Sequence, residues 1–282
     1  LLTCRFHSWA FDPEGALKWV SDEENFYDID KRVLGLKKIH ADSWQGFVFI
    51  NLADSPEQTL AEYLGGVAQQ LGEFPFNDMR LMFRYRVEED ANWKVILDAQ
   101  NEVYHIPFLH ISTYPDFCPT NRQNFSRILD FRRFGRHTVY SVEFNPEHQP
   151  SAVEALAIRT QPAAPQSGSS RIGWFDFYTV FPNFCILFPP GACSTYNIWP
   201  LSVNRAIWEI SFYQLPPEKA SERFSLEYWR CRNRDLLQED ASNHEAVQAS
   251  LKSRAISHFM MQDEEIQLRH FHKVLRDEIA RP

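Results

Sequence analysis

"NWKVILDAQNEVYHIPFLH" (Asn92–His110) sets two histidines five residues apart, a carboxylate three residues before the first, and a proline between them. Apolar residues at helical spacing predict a helix here, with Asn92 as its cap. On that helix Asp98, Glu102 and His105 stand at i, i+4 and i+7 and share one face. His110 then lies about 140° further around the axis. Pro107 removes a backbone donor and predicts a kink that swings His110 back toward His105. The plain alternative is an amphipathic helix whose histidines are hydrogen-bonded in the core. Three titratable groups on one face, with a breaker between the histidines, favour a metal site. Two imidazoles and one carboxylate on one side of an ion make the donor set of a non-haem Fe(II) centre with open positions. One more carboxylate is then expected from elsewhere in the chain.

The 282 residues carry 29 Lys and Arg against 37 Asp and Glu, a net charge of −8. That balance argues against a nucleic-acid or anionic-membrane binder. No run approaches the roughly 18 apolar residues of a membrane span, and the first residues do not resemble a secretory signal. Cys4, Cys118, Cys185, Cys193 and Cys231 are scattered, odd in number and form no C-x-x-C pair. A reducing, cytoplasmic setting is the expectation. The chain opens on Leu1 with a cysteine already at position 4, which reads as the continuation of a longer protein.

Residues 1–55 read as a β-rich domain, with "GFVFINL" (Gly46–Leu52) a short strand. A second domain is expected over 56–282. It begins with a helix over "SPEQTLAEYLGGVAQQLGEF", capped by Ser55 with Pro56 at its first position. Alternating runs follow at "LMFRYRVEED", "FSRILDFRRF", "HTVYSVEF", "IGWFDFYTVF", "STYNIWPL" and "RAIWEISFYQL". Thr160–Ser170 reads as a low-complexity loop. From about Pro217 the pattern is helical again, and Leu268, Phe271, Leu275 and Ile279 predict one apolar stripe. Strands flanked by helices give an α+β class, an antiparallel sheet packed by helices.

"TCRFHSWAFDPEGAL" (Thr3–Leu17) contains Cys4-x-x-His7. Alone this is a weak signal. With Trp9, Phe11, Asp12, Gly15 and Leu17 around it, it resembles the second ligand half of a Rieske [2Fe–2S] domain. Arg5 and Ser8 stand where that family often has proline and glycine. The first half, a C-x-H pair, is absent from the chain and is expected upstream of Leu1. The D-x3-D/E-x2-H-x4-H pattern falls on Asp98, Glu102, His105 and His110. Together, in this order, the two motifs resemble the α subunit of Rieske non-haem iron ring-hydroxylating oxygenases.

The resemblance implies the C-terminal half of a β-rich Rieske domain, then a catalytic domain with a curved antiparallel sheet packed by helices (helix-grip, START-like). Two segments offer the third iron ligand. The resemblance favours Asp240, in "LLQEDASNHEAVQ", over Asp263, Glu264 and Glu265 beside the terminal "HFH" of His270 and His272. His244, four residues after Asp240, is read as solvated. His40, His137, His148 and His258 receive no role. Cys4 and His7 are the implied cluster ligands, and His105, His110 and Asp240 the implied ligands of a mononuclear Fe(II). Electrons would pass from NAD(P)H through a reductase or ferredoxin to the cluster and then to the iron. The assembly implied is a homotrimer or α3β3 ring. Glu102 would bridge His105 to His7 of a neighbouring subunit, with Asp98 in the outer shell. Phe108, Tyr114, Trp174, Phe177, Phe181, Phe188 and Tyr196 are candidates to line a pocket for O2 and an apolar, aromatic substrate. Two alternatives stand beside this: a zinc hydrolase using His105, His110 and Asp240, and a non-catalytic module that encloses an apolar ligand.

Overall fold

The computed structural model describes residues 1–117, 126–162, 174–189 and 192–281. The chain divides into two compact units, Leu1–Tyr63 and Leu64–Pro282. No helix among the described residues is long and apolar enough to cross a membrane. Most of the low-complexity stretch, 163–170, lies outside the described residues, as does Cys118.

In the first unit β1 (Leu2–Thr3), β2 (Ala10–Phe11) and β3 (Leu17–Trp19) form an antiparallel sheet. β4 (His40–Trp44) and β5 (Phe47–Asn51) form a hairpin. Its two turn residues, Gln45 and Gly46, have φ of 51° and 83°, the left-handed pair that a two-residue hairpin turn requires.

The next helical stretch differs from expectation. Helix α1 (Leu60–Leu64) starts four residues beyond Pro56. Thr59, not Ser55, begins it: the Thr59 amide and hydroxyl both donate to Glu62 Oε2 at 2.8 Å, and the Glu62 amide donates back to Thr59 Oγ1. This reciprocal box satisfies more first-turn donors than Ser55 does. Gly65, at φ 46° and ψ −119°, then separates α1 from α2 (Gly66–Leu71).

The second unit is built on a seven-stranded antiparallel sheet. Its strands are β6 (Arg80–Glu89), β7 (Ile128–Phe134), β8 (His137–Glu143), β9 (Trp174–Val180), β10 (Phe184–Leu187), β11 (Cys193–Ser202) and β12 (Arg205–Gln214). They lie in the order β6-β12-β11-β10-β9-β8-β7. β10 is a strand the sequence reading passed over. Its four residues, all buried, are too few to show an alternation. Helix α5 (Ala152–Thr160), capped by Ser151, was also passed over.

Helices α3 (Trp93–Gln100), α4 (Ile106–Leu109), α6 (Ala220–Ser253) and α7 (Ile266–Ile279) complete the unit. Ile96 and Leu97 of α3, Leu237 of α6 and Phe271 of α7 share one core with Ile198, Trp208 and Ile210 of the sheet. Each such side chain contributes about 1.5–3 kcal/mol by leaving water. α6 buries Ser225, Leu226, Trp229, Arg232, Leu237, Asp240, His244 and Gln248, a stripe mostly at intervals of three and four that runs through the implied ligand. α7 buries Gln267, Leu268, Phe271 and Val274, whereas Ile279 is exposed, so its buried face is rotated from the predicted stripe.

The main correction falls within Asn92–His110. Asn92 caps α3, its side chain accepting from the Lys94 amide at 3.0 Å. The helix then ends at Gln100, well before Pro107. Asn101 closes it, its amide donating to Leu97 and Asp98 carbonyls. Glu102 turns the chain, its Oε2 accepting from the amides of Tyr104 and His105. α4 starts afresh with Pro107 in its first turn, where proline costs no hydrogen bond. The histidines are thus brought together by a break between two helices at 101–105, and Pro107 initiates the second helix instead of kinking the first. Asp98 consequently does not share a face with Glu102 and His105.

Candidate metal centre

His105 caps α4 at its start, His110 closes it, and Asp240 comes from the middle of α6. One ligand atom from each lies within 4.8 Å of the others, with His110 and Asp240 buried and His105 half-buried. Among the described residues this is the group of three or more such side chains that can hold a metal ion. Asp240 Oδ1 is 3.0 Å from His110 Nε2 and 3.7 Å from His105 Nε2. The two imidazole rings are 5.1 Å apart and nearly perpendicular, at 80°.

The distal ring nitrogens test whether a cation fits. His110 Nδ1 faces Glu239 Oε2 at 2.8 Å, and His105 Nδ1 contacts Glu102 Oε1. A carboxylate only accepts, so each Nδ1 carries the proton. In a neutral ring Nε2 is then a bare lone pair, and both lone pairs converge on the Asp240 carboxylate. Three electron-rich atoms facing one another at 3 % exposure of the Asp240 side chain are stable only with a cation between them or a proton added. Without metal the proton settles on imidazole, not on Asp240. Burial opposes charge on His105, but the Glu102 contact and then Glu102 and Asp240 charges outweigh it and raise its pKa. Burial likewise opposes charge on Asp240, but His110, His105 and His244 hold its carboxyl below the usual range.

Glu239 was not singled out in the sequence, although it stands next to Asp240. It accepts from Thr113 Oγ1 at 2.6 Å as well as facing His110. Both imidazoles are therefore oriented by an outer carboxylate, an arrangement that fixes tautomer and raises ligand basicity.

Asp98 lies apart from this group. Both its oxygens sit 2.9 Å from His272 Nε2 on α7. His244, expected in solvent, is buried at 2 % exposure with Nδ1 2.7 Å from Glu89 Oε2. The sequence reading missed this because Glu89, at the end of β6, is far away in the chain. His137 is also buried, accepting from the Phe181 amide at 3.0 Å.

The donor set opens into a pocket with about 670 Å³ of empty space, open solvent included. Its walls include Tyr114, Phe117, Tyr140, Phe175, Phe177, Tyr196 and Phe212, with Leu187, Leu236, Gln100 and Asn233. Of the residues expected there, Tyr114, Phe177 and Tyr196 line it. Phe108 is instead 64 % exposed, because the one-turn α4 points it outward. Phe181 packs on Phe271, and Phe188 on Phe74 and Tyr178. Trp174, at the start of β9, is not among the lining residues either.

In the first unit Cys4 and His7 occupy an exposed turn. The Cys4 amide donates to the Trp9 carbonyl at 2.8 Å and the Ser8 amide to the Cys4 carbonyl at 2.9 Å. Ser8 holds the left-handed conformation, φ 63°, which glycine adopts at less cost. Amides of Phe6 and His7 point at the Cys4 sulfur and lower its thiol pKa. This turn fits one thiolate and one imidazole ligand, two of the four donors a Rieske cluster takes.

Comparison with known proteins agrees with this architecture. A carnitine monooxygenase oxygenase subunit of Acinetobacter baumannii is 31% identical over 107 residues, 37% of this chain and 29% of that protein. The matched region thus spans less than a third of that relative. A solved structure of a quaternary ammonium Rieske monooxygenase with L-carnitine superposes with TM-score 0.71 at 20% identity, covering 98% of this chain and 70% of that one. Naphthalene 1,2-dioxygenase with indole in its active site gives TM-score 0.65 at 18% identity, covering 99% and 73%. At these identities the two structures show a shared fold. Residues 76–281 match the ring hydroxylating alpha subunit (catalytic domain), and the chain belongs to that family.

Proposed function

We propose that this chain carries the oxygen-activating centre of a Rieske-type oxygenase, with His105, His110 and Asp240 holding a mononuclear Fe(II). The observation that carries the proposal is the pair of Nε2 lone pairs aimed at Asp240 Oδ1, each with its Nδ1 proton already committed to a glutamate. When bound, the iron supplies activation of O2, using electrons that originate in NAD(P)H and arrive through a reductase or ferredoxin and a Rieske cluster. Cys4 and His7 contribute to that cluster. Glu102 and Glu239 hold the imidazole protons at Nδ1 and keep both rings aimed inward. The aromatic walls exclude water and place the substrate beside the donor set. Membership of the oxygenase family leaves the hydrolase and binding-module alternatives without support.

Among the described residues that line the pocket, the acidic and imidazole groups are Glu102, His105, His110 and Asp240, with no Lys or Arg. The site therefore favours a substrate whose reacting head is uncharged or cationic. Seven aromatic rings suit either an aromatic ring, by stacking, or a methylated ammonium, by cation–π attraction. The relatives act in those two ways by name, on carnitine and on naphthalene. Glu102, whose Oε1 meets His105 Nδ1, would link His105 to His7 of a neighbouring subunit in a trimer, with or without a β subunit.

The experiment is substrate-dependent O2 uptake, with a reductase, by a form of the protein that holds all four Rieske ligands. Turnover is expected with a methylated ammonium or a neutral aromatic, and His105→Ala and Asp240→Ala are expected to abolish it together with the iron. Full turnover in both variants would refute the proposal.

A further inference from the structure

The Asp240 carboxylate is divided between two tasks. Oδ1 faces both Nε2 atoms. Oδ2 points away and accepts from Gln100 Nε2 at 3.2 Å, a contact buried on both sides. A carboxylate has no proton to give, so it must be the amide nitrogen of Gln100 that meets it.

Gln100 reaches Asp240 from a fixed base. It is the last residue of α3, and its carbonyl accepts from the Tyr140 hydroxyl at 3.3 Å. The next residue, Asn101, is fully buried. Its Oδ1 accepts from Thr179 Oγ1 at 2.7 Å and from Gln267 Nε2 at 2.8 Å, which ties the end of α3 to β9 and α7. The side chain crosses from that anchored point to α6, so the hydrogen bond has little slack.

We propose that Gln100 is a positioning residue that keeps Asp240 a one-oxygen ligand. A carboxylate that binds through both oxygens takes two coordination positions. The Gln100 amide occupies Oδ2 and leaves the second position open on the pocket side, where O2 and substrate must fit. The inference rests on the iron-binding reading above.

The test compares the parent with Gln100→Met, which keeps length and helix propensity but has no donor. Both proteins are loaded anaerobically with Fe(II), and near-infrared magnetic circular dichroism reads the coordination number. The parent is expected to show the lower number. Gln100→Met is expected to gain one ligand and bind Fe(II) roughly fivefold more tightly, the factor that one competing hydrogen bond represents. Gln100→Asn, one methylene too short to reach, should behave like Met. A merely structural role lowers the melting temperature and leaves the ligand-field bands in place. Unchanged bands in a folded, iron-loaded variant overturn the inference and leave the functional reading standing. If the variants do not fold, a crystal structure of the iron-loaded parent decides. One Asp240 oxygen on the metal with Oδ2 on Gln100 supports the inference. Both oxygens on the metal, or the Gln100 carbonyl oxygen on it, overturns it. A parent that takes up no iron refutes the functional reading itself, and the inference with it.

Discussion

Single residues at the centre differ in what they do for it, and their substitutions separate these roles. Glu239 touches no other donor of the set except through His110, at 2.8 Å. Glu239→Ala is expected to weaken Fe(II) binding about 10- to 100-fold while the metal-free protein unfolds at nearly the parent temperature. An Fe(II) titration followed by thermal unfolding checks both halves. Asp98 and His272 form a separate, pH-sensitive pair. Hydrogen bonding to Asp98 raises His272 above its ordinary 6.5, against burial, while burial pushes the Asp98 carboxyl up despite His272. The raised His272 value means the folded state holds the proton more tightly than the unfolded chain does. The stabilisation is complete below pH 6.5 and fades as pH rises through the folded value. Thermal midpoints measured across that range should fall for the parent, and the Asp98→Asn variant should lose this component of the slope.

Among the elements, α6 does most to register the site. Three consecutive contacts clamp it to the segment that leads into α3. His244 Nδ1 sits 2.7 Å from Glu89 Oε2, Glu245 Oε1 accepts from the Asp90 amide at 3.0 Å, and Gln248 Oε1 accepts from the Asn92 amide at 2.7 Å. The cap of α3 and the ligand Asp240 are thereby fixed by one helix. His244→Leu leaves Glu89 buried at 3 % exposure without its hydrogen-bond partner and should cost about 1–3 kcal/mol. Glu89→Leu/His244→Leu together should recover most of that loss, as measured by urea unfolding. Equal losses in the single and double variants would count against a coupled buried pair. These elements also show what a sequence displays. Long alternating runs such as "RAIWEISFYQL" announce β12, because one sheet face excludes water at every second residue. Four-residue β10 carries no such period. The break after Gln100 was hidden because Pro107 looked like the stronger signal; proline in a first turn and proline at a kink read alike in sequence. Motif spacing singled out His105 and His110 and the family resemblance singled out Asp240, and the three side chains lie together. The outer carboxylate Glu239, and the Gln100 contact, were not legible, since they depend on how α6 lies against α4 and α3, more than a hundred residues away in the chain.

At the scale of the molecule, the candidate centre joins the 101–110 segment to α6 across 130 residues of sequence, from His110 to Asp240. An ion held there stabilises the native state by mass action, about 2.7 kcal/mol at a free concentration one hundred times its dissociation constant. For a unit of this size that raises the melting temperature by roughly 5–10 °C, and a chelator should reverse it. The unit Leu1–Tyr63 contains none of the three ligands. The central claim is most directly tested by metal analysis after anaerobic Fe(II) loading of the parent, His105→Ala and Asp240→Ala. One mononuclear iron per chain in the parent, lost in both variants, is the predicted result. Full zinc occupancy that iron does not displace, or iron retained in both variants, would contradict it.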